Sequence, residues 1–149
     1  MKSIIFVCLG NICRSPLAEA VAKRLNVDHN LNMTIDSAGT GSWHIGQTPC
    51  DNSIQVAREH GLDISAYQGR QISVYDFDNY DLVVALDGSN YNDLKKLGCE
   101  NLTKLGNYGF KGEDVPDPYF FDGFEGFEKV YEMIDTAVEI LFKEKKLID

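Results

Sequence analysis

The 149-residue chain has few of the features that mark secreted scaffolds, membrane proteins or nucleic-acid binders. Its four cysteines are too sparse for a disulfide-stapled scaffold, which needs a denser pattern in a shorter chain. No stretch approaches the roughly 18 consecutive apolar residues of a membrane span. Basic residues number 14 against 23 acidic ones, for a net charge of −9. This balance argues against nucleic acid as a partner, because such affinity comes mainly from Lys and Arg.

We expect no secretory signal at the N-terminus. The apolar run after Lys2 is shorter than the roughly 7–15 residues of a signal-peptide core, and Asn11 and Arg14 interrupt it. With no membrane partner expected, the chain is predicted to be cytoplasmic. Its hydrophobic fraction of 44% and charged fraction of 25% are near globular averages, and its length suits one domain over residues 1–149.

Strand and helix patterns alternate along the chain. Short apolar segments predict buried strands at residues 3–7, 33–37, 80–86 and 102–105. Helical patterns follow them over residues 15–25, 51–60 and 88–97, and again from 124 to 141. The pattern predicts an α/β fold: a small doubly wound, four-stranded parallel sheet with helices on both faces, of flavodoxin-like topology. Ligands of such sheets bind at the carboxyl ends of the strands, which directs attention to the loop after the first strand.

That loop has the chemistry of an oxyanion site. Gly10 and Asn11 tolerate the left-handed backbone that lets successive N–H groups converge on an anion. The helix predicted to begin at Ser15 adds partial positive charge, and Arg14 can hold two phosphate oxygens. Cys8 would lie beneath the anion, where these groups favour its thiolate. The alternative is that Cys8 fills space in the core and Arg14 is a surface charge.

A second candidate group is Asp117, between Pro116 and Pro118. By itself, an Asp-Pro sequence in an acidic loop usually marks a turn. Expelling an alkoxide or phenoxide from phosphorus is difficult unless the leaving oxygen is protonated, so a phosphate site in this chain needs an acid. The flanking prolines would stiffen the backbone and aim the carboxyl group. Together with the Cys8 loop, Asp117 is more readily interpreted as that acid.

The run from Val7 to Ala20 resembles the signature loop of the low-molecular-weight protein tyrosine phosphatases. Further segments resemble the same family in the same order: residues 36–40, 43–46, 70–72, 87–90 and 115–119. The resemblance implies an enzyme that hydrolyses phosphotyrosine and other aryl phosphates in two steps, without metal or cofactor. Cys8 would attack phosphorus while Arg14 and the loop amides hold its oxygens. Asp117 would protonate the leaving oxygen and then activate water against the cysteinyl-phosphate.

The resemblance also assigns substrate-binding and supporting roles. Residues of the loop and its walls would contact substrate: Leu9, Gly10, Asn11, Ile12, Cys13, Ser15, Trp43 and Tyr119. Asn11 would also hold the strained loop, and Ser15 would stabilise the Cys8 thiolate as leaving group. Ser37 would join a hydrogen-bond network beneath the loop. Trp43 and Tyr119 could equally be packing aromatics. Phosphoarginine-specific relatives carry Thr where this chain has Ile12, so Ile12 favours a phenyl phosphate.

The chain departs from the family pattern at three places. Tyr67 stands where a His often braces the loop, and Asn52-Ser53 occupies a stretch that often contains an Arg. Phe120 follows Tyr119, so a second adjacent tyrosine is lacking. The family also implies that Cys13 can form a disulfide with Cys8 and shield it from irreversible oxidation, although Cys13 could instead simply fill space.

Other functions remain open on the sequence alone. Arsenate reductases and phosphoarginine phosphatases share this fold and loop, but an arsenate reductase needs further cysteines, and Cys99 has no neighbour in sequence to act with. A non-catalytic phosphate-binding module would not need both Cys8 and Asp117. Zinc binding is disfavoured because Cys8 and Cys13 have no second paired ligand set. The expected partner is a phosphotyrosine protein, with a tyrosine kinase among the candidates, and the expected state is a monomer or weak dimer.

Overall fold

Four parallel strands form one sheet whose order is β2-β1-β3-β4. The computed structural model describes residues 1–121 and 123–149, and the side chain of Phe120 lies outside this description. The strands are β1 (Ser3–Cys8), β2 (Thr34–Gly39), β3 (Leu82–Ala85) and β4 (Leu102–Lys104). This order, with β1 between β2 and β3, confirms the predicted four-stranded, flavodoxin-like sheet.

Five α-helices within the described residues cover the two faces of the sheet. They are α1 (Ser15–Asp28), α2 (Asp51–Glu59), α3 (Asp76–Asn79), α4 (Gly88–Lys96) and α5 (Glu125–Glu144). Helices α1 and α5 pack together on one face with α2 against α5, and α4 packs on β3 and β4 from the other. Short 3-10 turns follow β4 at Leu105–Asn107 and precede α5 at Pro118–Phe120.

Strand β1 is apolar on both faces because helices cover both. Ile4 and Phe6 lie in the core cluster shared with α1 and α5, whereas Ile5 and Val7 lie in the smaller cluster with Leu94 of α4. All five side chains are fully buried. A central parallel strand such as β1 is therefore a near-continuous apolar run, and polar residues follow in the loop after its carboxyl end.

The element boundaries differ from the predicted ones where tertiary contacts decide them. Helix α1 continues to Asp28, three residues beyond the predicted end. Helix α3 was not predicted; its first residue, Asp76, accepts hydrogen bonds from the Ser73 amide and the Arg70 guanidinium, which no local pattern reveals. The predicted stop of α2 at Gly61 is confirmed, since Gly61 has a φ of +80° directly after the helix cap.

Candidate active site

Cys8 is the last residue of β1, and its sulfur is enclosed by the loop that follows. The side chain is 2% exposed. Its Sγ accepts a hydrogen bond from the Asn11 amide at 3.2 Å and lies 3.0 Å from Ser15 Oγ. A sulfur that receives donors from its own loop is in the environment that stabilises a thiolate.

The loop turns at Asn11, which has a φ of +59°. Asparagine is one of the few non-glycine residues that adopt this left-handed conformation readily. Of the two residues whose type tolerates this conformation, Asn11 adopts it and Gly10, which has no positive φ, does not. Gly10 is needed for space instead, because a Cβ there would lie 2.9 Å from Cδ2 of His44.

The Asn11 side chain bonds the loop to the strands and connections behind it. Its Nδ2 donates to Ser15 Oγ at 2.8 Å and to Ser37 Oγ at 2.9 Å, and its Oδ1 accepts the Arg70 amide at 3.0 Å. Because Ser15 Oγ already accepts from Asn11, its own proton is free to be donated to Cys8 Sγ. The orientation of the Asn11 side-chain amide thus makes the Ser15 hydroxyl a hydrogen-bond donor to Cys8 Sγ.

The same network continues away from the loop along α1. Ser37 Oγ donates to Glu19 Oε1 at 2.5 Å, and Lys23 Nζ donates to Glu19 Oε2 at 2.6 Å. The Lys23 ammonium lies 4.8 Å from the centre of the Tyr67 ring. Burial raises the pKa of Tyr67, which keeps it a neutral phenol. Tyr67 therefore supports the network through Lys23 and Glu19.

Arg14 is held at the carboxyl end of the sheet by partners from two other segments. Its Nη1 donates to Asp87 Oδ2 at 2.7 Å and to the Val115 carbonyl at 2.9 Å. Asp87 follows β3, and its other oxygen caps α4 by accepting the Asn90 amide at 2.8 Å. All hydrogen bonds of the guanidinium to described residues use Nη1, so its remaining N–H groups can serve an anion.

One cavity of about 200 Å³ contains most of the predicted site. Its lining comes from the loop and from two facing segments: Cys8, Leu9, Gly10, Ile12, Cys13, Arg14, Trp43, His44, Asp117 and Tyr119. Trp43 and Tyr119, which are 69% and 62% exposed, lie at the entrance of the cavity. Tyr119 also packs edge-on against Phe127 of α5, with ring centres 5.2 Å apart. The loop and the Asp117 segment, a hundred residues apart in sequence, are thus brought to one opening.

Three predicted residues lie behind the cavity rather than in it. Asn11, Ser15 and Ser37 are buried and bonded to one another, and none of their side chains lines the opening. Their side chains bond the loop from behind, and substrate contact by Asn11 and Ser15 stays a prediction. His44 and Asp87 were not predicted as site residues. Asp87 could have been found, since it follows a strand at the end of the sheet where ligands bind.

The backbone of the loop provides donors for an anion. Among the described residues, no protein acceptor takes a hydrogen bond from the amides of residues 12–15. These amides lead into the N-terminus of α1, whose dipole favours negative charge at the same point. Gly39 lets the loop lie this close to β2, since a Cβ there would approach the Leu9 carbonyl oxygen to 2.7 Å.

Asp117 lines the cavity from the segment that precedes α5. Its Oδ1 accepts the Tyr119 amide at 3.0 Å and begins the 3-10 turn at Pro118–Phe120. The carboxylate thereby has one oxygen engaged by its own turn. The departure noted at Phe120 concerns a side chain outside the described residues.

Cys13 is bonded to Cys50, not to Cys8. The structure has a Cys13–Cys50 disulfide with Cα atoms 5.6 Å apart, and Cys8 is free. The expected Cys8–Cys13 disulfide is therefore not the one present, because Cys50, directly before α2, meets Cys13 from outside the cavity. The Asn52-Ser53 departure bears on the same contact: buried Ser53 donates from its Oγ to the Cys13 carbonyl at 2.9 Å.

Within residues 1–121 and 123–149, no group of three or more His, Cys, Asp and Glu side chains is arranged to hold a metal ion. None of the helices described combines the length and apolarity needed to cross a membrane.

Known proteins resemble this chain over its whole length. The family described as low molecular weight phosphotyrosine protein phosphatase matches residues 3–147. The chain belongs to this family. A low molecular weight protein-tyrosine-phosphatase of Bacillus subtilis, YfkJ, is 39% identical, covering 99% of this chain and 100% of that protein. This phosphatase is accordingly a hydrolase.

Solved structures agree with the sequence comparison. A protein tyrosine phosphatase from Entamoeba histolytica superposes with a TM-score of 0.89 at 34% identity, over 99% of this chain and 100% of that one. A Drosophila arginine phosphatase superposes with a TM-score of 0.88 at 36% identity, covering 100% of both chains. The phosphatase therefore shares its fold with relatives whose names state different amino acids, tyrosine in one and arginine in the other.

Proposed function

We propose that this phosphatase hydrolyses phosphotyrosine and other aryl phosphate monoesters through a cysteinyl-phosphate on Cys8. The observation that carries the proposal is the shared cavity of about 200 Å³ into which Cys8, Arg14 and Asp117 all open. One group is a nucleophile, one a cation that binds oxygens in pairs, and one an acid. These three groups come from separate segments and lie together at the carboxyl end of the sheet. This combination is the one that phosphoryl transfer requires.

In the proposed first step, the Cys8 thiolate attacks phosphorus opposite the leaving oxygen. The amides of residues 12–15 and the free N–H groups of Arg14 bind the equatorial oxygens, where charge must be held as the P–O bond breaks. Asp117 gives its proton to the leaving phenoxide. In the second step the Asp117 carboxylate takes a proton from water, which displaces Cys8 Sγ from phosphorus.

The supporting residues prepare Cys8 to leave again. The Ser15 hydroxyl, oriented by Asn11, donates to the sulfur at 3.0 Å, and the Asn11 amide donates at 3.2 Å. These hydrogen bonds stabilise the thiolate both before attack and when it departs from phosphorus. Removing the Ser15 hydroxyl would therefore slow the second step more than the first.

The walls of the cavity favour a flat ring. Ile12 presents an apolar wall, and Trp43 and Tyr119 stand at the mouth. A guanidinium group would need polar partners to replace its hydration, whereas an aryl ring needs only apolar surface. Phosphoarginine is the second candidate substrate, because one relative is named an arginine phosphatase and superposes over its whole length. Ile12 favours the aryl ester over it.

The test is hydrolysis of phenyl phosphate and p-nitrophenyl phosphate by the wild type, Cys8→Ser and Asp117→Asn. Wild type should turn over both esters in the presence of a metal chelator, and Cys8→Ser should be inactive. Asp117→Asn should lose about 10²–10⁴-fold on phenyl phosphate and less on the nitrophenyl ester, whose leaving group needs less protonation. Activity in Cys8→Ser equal to that of wild type would overturn the proposal.

A parallel assay separates the alternatives. Phosphoarginine hydrolysed faster than phosphotyrosine would make the second candidate the substrate, and Ile12→Thr is expected to shift the ratio towards phosphoarginine. Arsenate reduction is disfavoured because Cys99 lies in the core cluster on the opposite face of the sheet from Cys8. Thioredoxin-dependent arsenate reduction without ester hydrolysis would favour that function instead.

We further propose the setting in which the enzyme acts. As a single phosphatase domain over residues 1–149, it would work in the cytoplasm as a monomer or weak dimer and be sensitive to oxidants through Cys8. A phosphotyrosine protein, such as an autophosphorylated tyrosine kinase, is the partner that suits the cavity. The net charge of −9 argues for phosphopeptides that are not highly acidic. Comparing kcat/KM for neutral and acidic phosphopeptides tests this.

A further inference from the structure

Cys13 lies between the cavity that holds Cys8 and the segment that carries Cys50. On one side it lines the cavity together with Cys8. On the other side it is bonded to Cys50, which lies outside that cavity directly before α2. The fourth cysteine, Cys99, is buried on the opposite face of the sheet and takes no part in this cluster.

Backbone contacts hold Cys50 against the loop. The Cys50 amide donates to the Ile12 carbonyl at 2.9 Å, and the Ser53 hydroxyl donates to the Cys13 carbonyl at 2.9 Å. The Cα atoms of Cys13 and Cys50 are 5.6 Å apart, which is near the commonest separation for disulfides. These contacts hold the two residues together through a backbone amide and a serine hydroxyl, neither of which depends on the redox state of the sulfurs.

We propose that Cys50 is a redox-modification site. When Cys8 is oxidised, thiol–disulfide exchange through Cys13 transfers the oxidation to Cys50. The proposal rests on the proposed function only in that Cys8 is the reactive thiolate. The oxidant is a hydroperoxide. The product of this series of reactions is the Cys13–Cys50 disulfide found in the structure, in which Cys8 is free.

The chemistry balances in three steps. The Cys8 thiolate attacks hydrogen peroxide, forming the sulfenic acid and releasing hydroxide. The Cys13 thiol then attacks the Cys8 sulfur, forming a Cys8–Cys13 disulfide and releasing water. Finally, the Cys50 thiolate attacks the Cys13 sulfur, which forms the Cys13–Cys50 disulfide and expels the Cys8 thiolate. Overall, one peroxide is reduced by the two thiols of Cys13 and Cys50, and Cys8 is regenerated.

The environments of the two outer sulfurs favour this direction. Cys50 occupies the N-cap position of α2, where the helix dipole favours an anionic sulfur and so promotes its attack. Cys8 is stabilised as a thiolate by Ser15 and the Asn11 amide, which makes it the better leaving group. Cys50 is also half-buried rather than enclosed beneath the loop, so a reductant reaches it more easily than Cys8.

The experiment begins with fully reduced protein freed of thiols under nitrogen. One equivalent of hydrogen peroxide is added, p-nitrophenyl phosphate activity is followed without any added thiol, and disulfides are mapped by mass spectrometry. Wild-type activity should fall and then return to at least about half its starting value as the Cys13–Cys50 disulfide accumulates. Cys50→Ser should lose activity equally fast, accumulate Cys8–Cys13, and recover only when dithiothreitol is added.

Two controls sharpen the result. Cys99→Ser should behave as wild type, and Cys8→Ser should form the Cys13–Cys50 disulfide at least about tenfold more slowly, because the oxidation would have to start elsewhere. Equal rates of that disulfide in Cys8→Ser and wild type would overturn the proposal, as would wild-type recovery that needs added thiol. Mass spectrometry detects the disulfides whether or not the protein is an active phosphatase. If the fully reduced protein did not hydrolyse aryl phosphates, that result would refute the proposed function and leave the disulfide test intact.

Discussion

Asp87 accepts a 2.7 Å hydrogen bond from Nη1 of Arg14 with one carboxylate oxygen and caps α4 with the other. Both residues are largely shielded, with side chains 17% and 10% exposed. The pair fixes the guanidinium by its outer nitrogen and leaves the rest of the fork for substrate. Asp87 thus both caps α4 and positions Arg14, the cation expected to bind the phosphate.

Replacing Asp87 with Asn separates the two roles of this carboxylate. Asparagine caps helices as well as aspartate does, so the stability of α4 should hardly change. When its single oxygen caps α4, the NH2 group of asparagine faces the Arg14 guanidinium, so the hydrogen bond that Asp87 accepts from Arg14 is lost, and kcat/KM should fall about tenfold or more. Thermal unfolding and phosphate inhibition measured on the same sample provide the check. A large loss of Tm with unchanged phosphate affinity would contradict this assignment.

Asn11 should show separate backbone and side-chain effects. Asn11→Ala forces alanine into a φ of +59°, a cost of roughly 1–2 kcal/mol, and leaves the Arg70 amide without its acceptor. Asn11→Gly removes the same side chain without the backbone cost. We expect glycine to be the more stable variant by denaturant unfolding, and both to lose kcat/KM alike. If glycine restored activity along with stability, the side chain would have no role in orienting Ser15.

Ser37 acts through Asn11, so the two substitutions should not be additive. Ser37→Ala removes the acceptor for Asn11 Nδ2 and the donor to Glu19. In a double-mutant cycle with Asn11→Gly, the coupling in kcat/KM should correspond to about 0.5–3 kcal/mol. Ser65→Ala is a matched control, because the hydrogen bonds of the Ser65 hydroxyl and amide to described residues go to Asp63 in a local turn. Strict additivity would argue against a connected network.

Gly39 is expected to tolerate no side chain. An added Cβ would lie 2.7 Å from the Leu9 carbonyl oxygen, a backbone atom that can move only if the loop moves. Gly39→Ala should therefore cost at least about tenfold in kcat/KM, from displaced loop amides. Gly10→Ala meets a movable ring of His44 instead, and the double variant with His44→Ala should regain most of its activity. Full activity in Gly39→Ala would show that the loop is less constrained than its contacts indicate.

Cys99 should be the least reactive thiol of the reduced protein. Burial raises its pKa to about 11. A raised thiol pKa means less thiolate at any lower pH, so at pH 8 only about a thousandth is ionised. Iodoacetamide alkylation of Cys99 should then increase about tenfold per pH unit up to about pH 11. Mass spectrometry over pH 7–10 measures this, and a rate for Cys99 that does not depend on pH would disprove it.

The sequence predicts the sheet and the loop well because their signals are local. β1 is a continuous apolar run, and the residues that follow it combine a nucleophile, a left-handed turn residue and a cation within one loop. Tertiary partners are harder to predict. The contacts of Arg14 with Asp87 and Val115 join residues more than seventy positions apart. Which cysteine meets Cys13 depends likewise on where the chain before α2 returns to the loop.

Trp43 is the only tryptophan in the chain, and it stands at the mouth of the cavity with 69% of its surface exposed. All indole emission of the protein therefore originates a few ångströms from the place where phosphate esters enter. Ligand occupancy should change its intensity and wavelength directly, without a dye or an engineered label. Binding of unreactive analogues can thus be followed in real time by intrinsic fluorescence, even in Cys8→Ser, where turnover reports nothing.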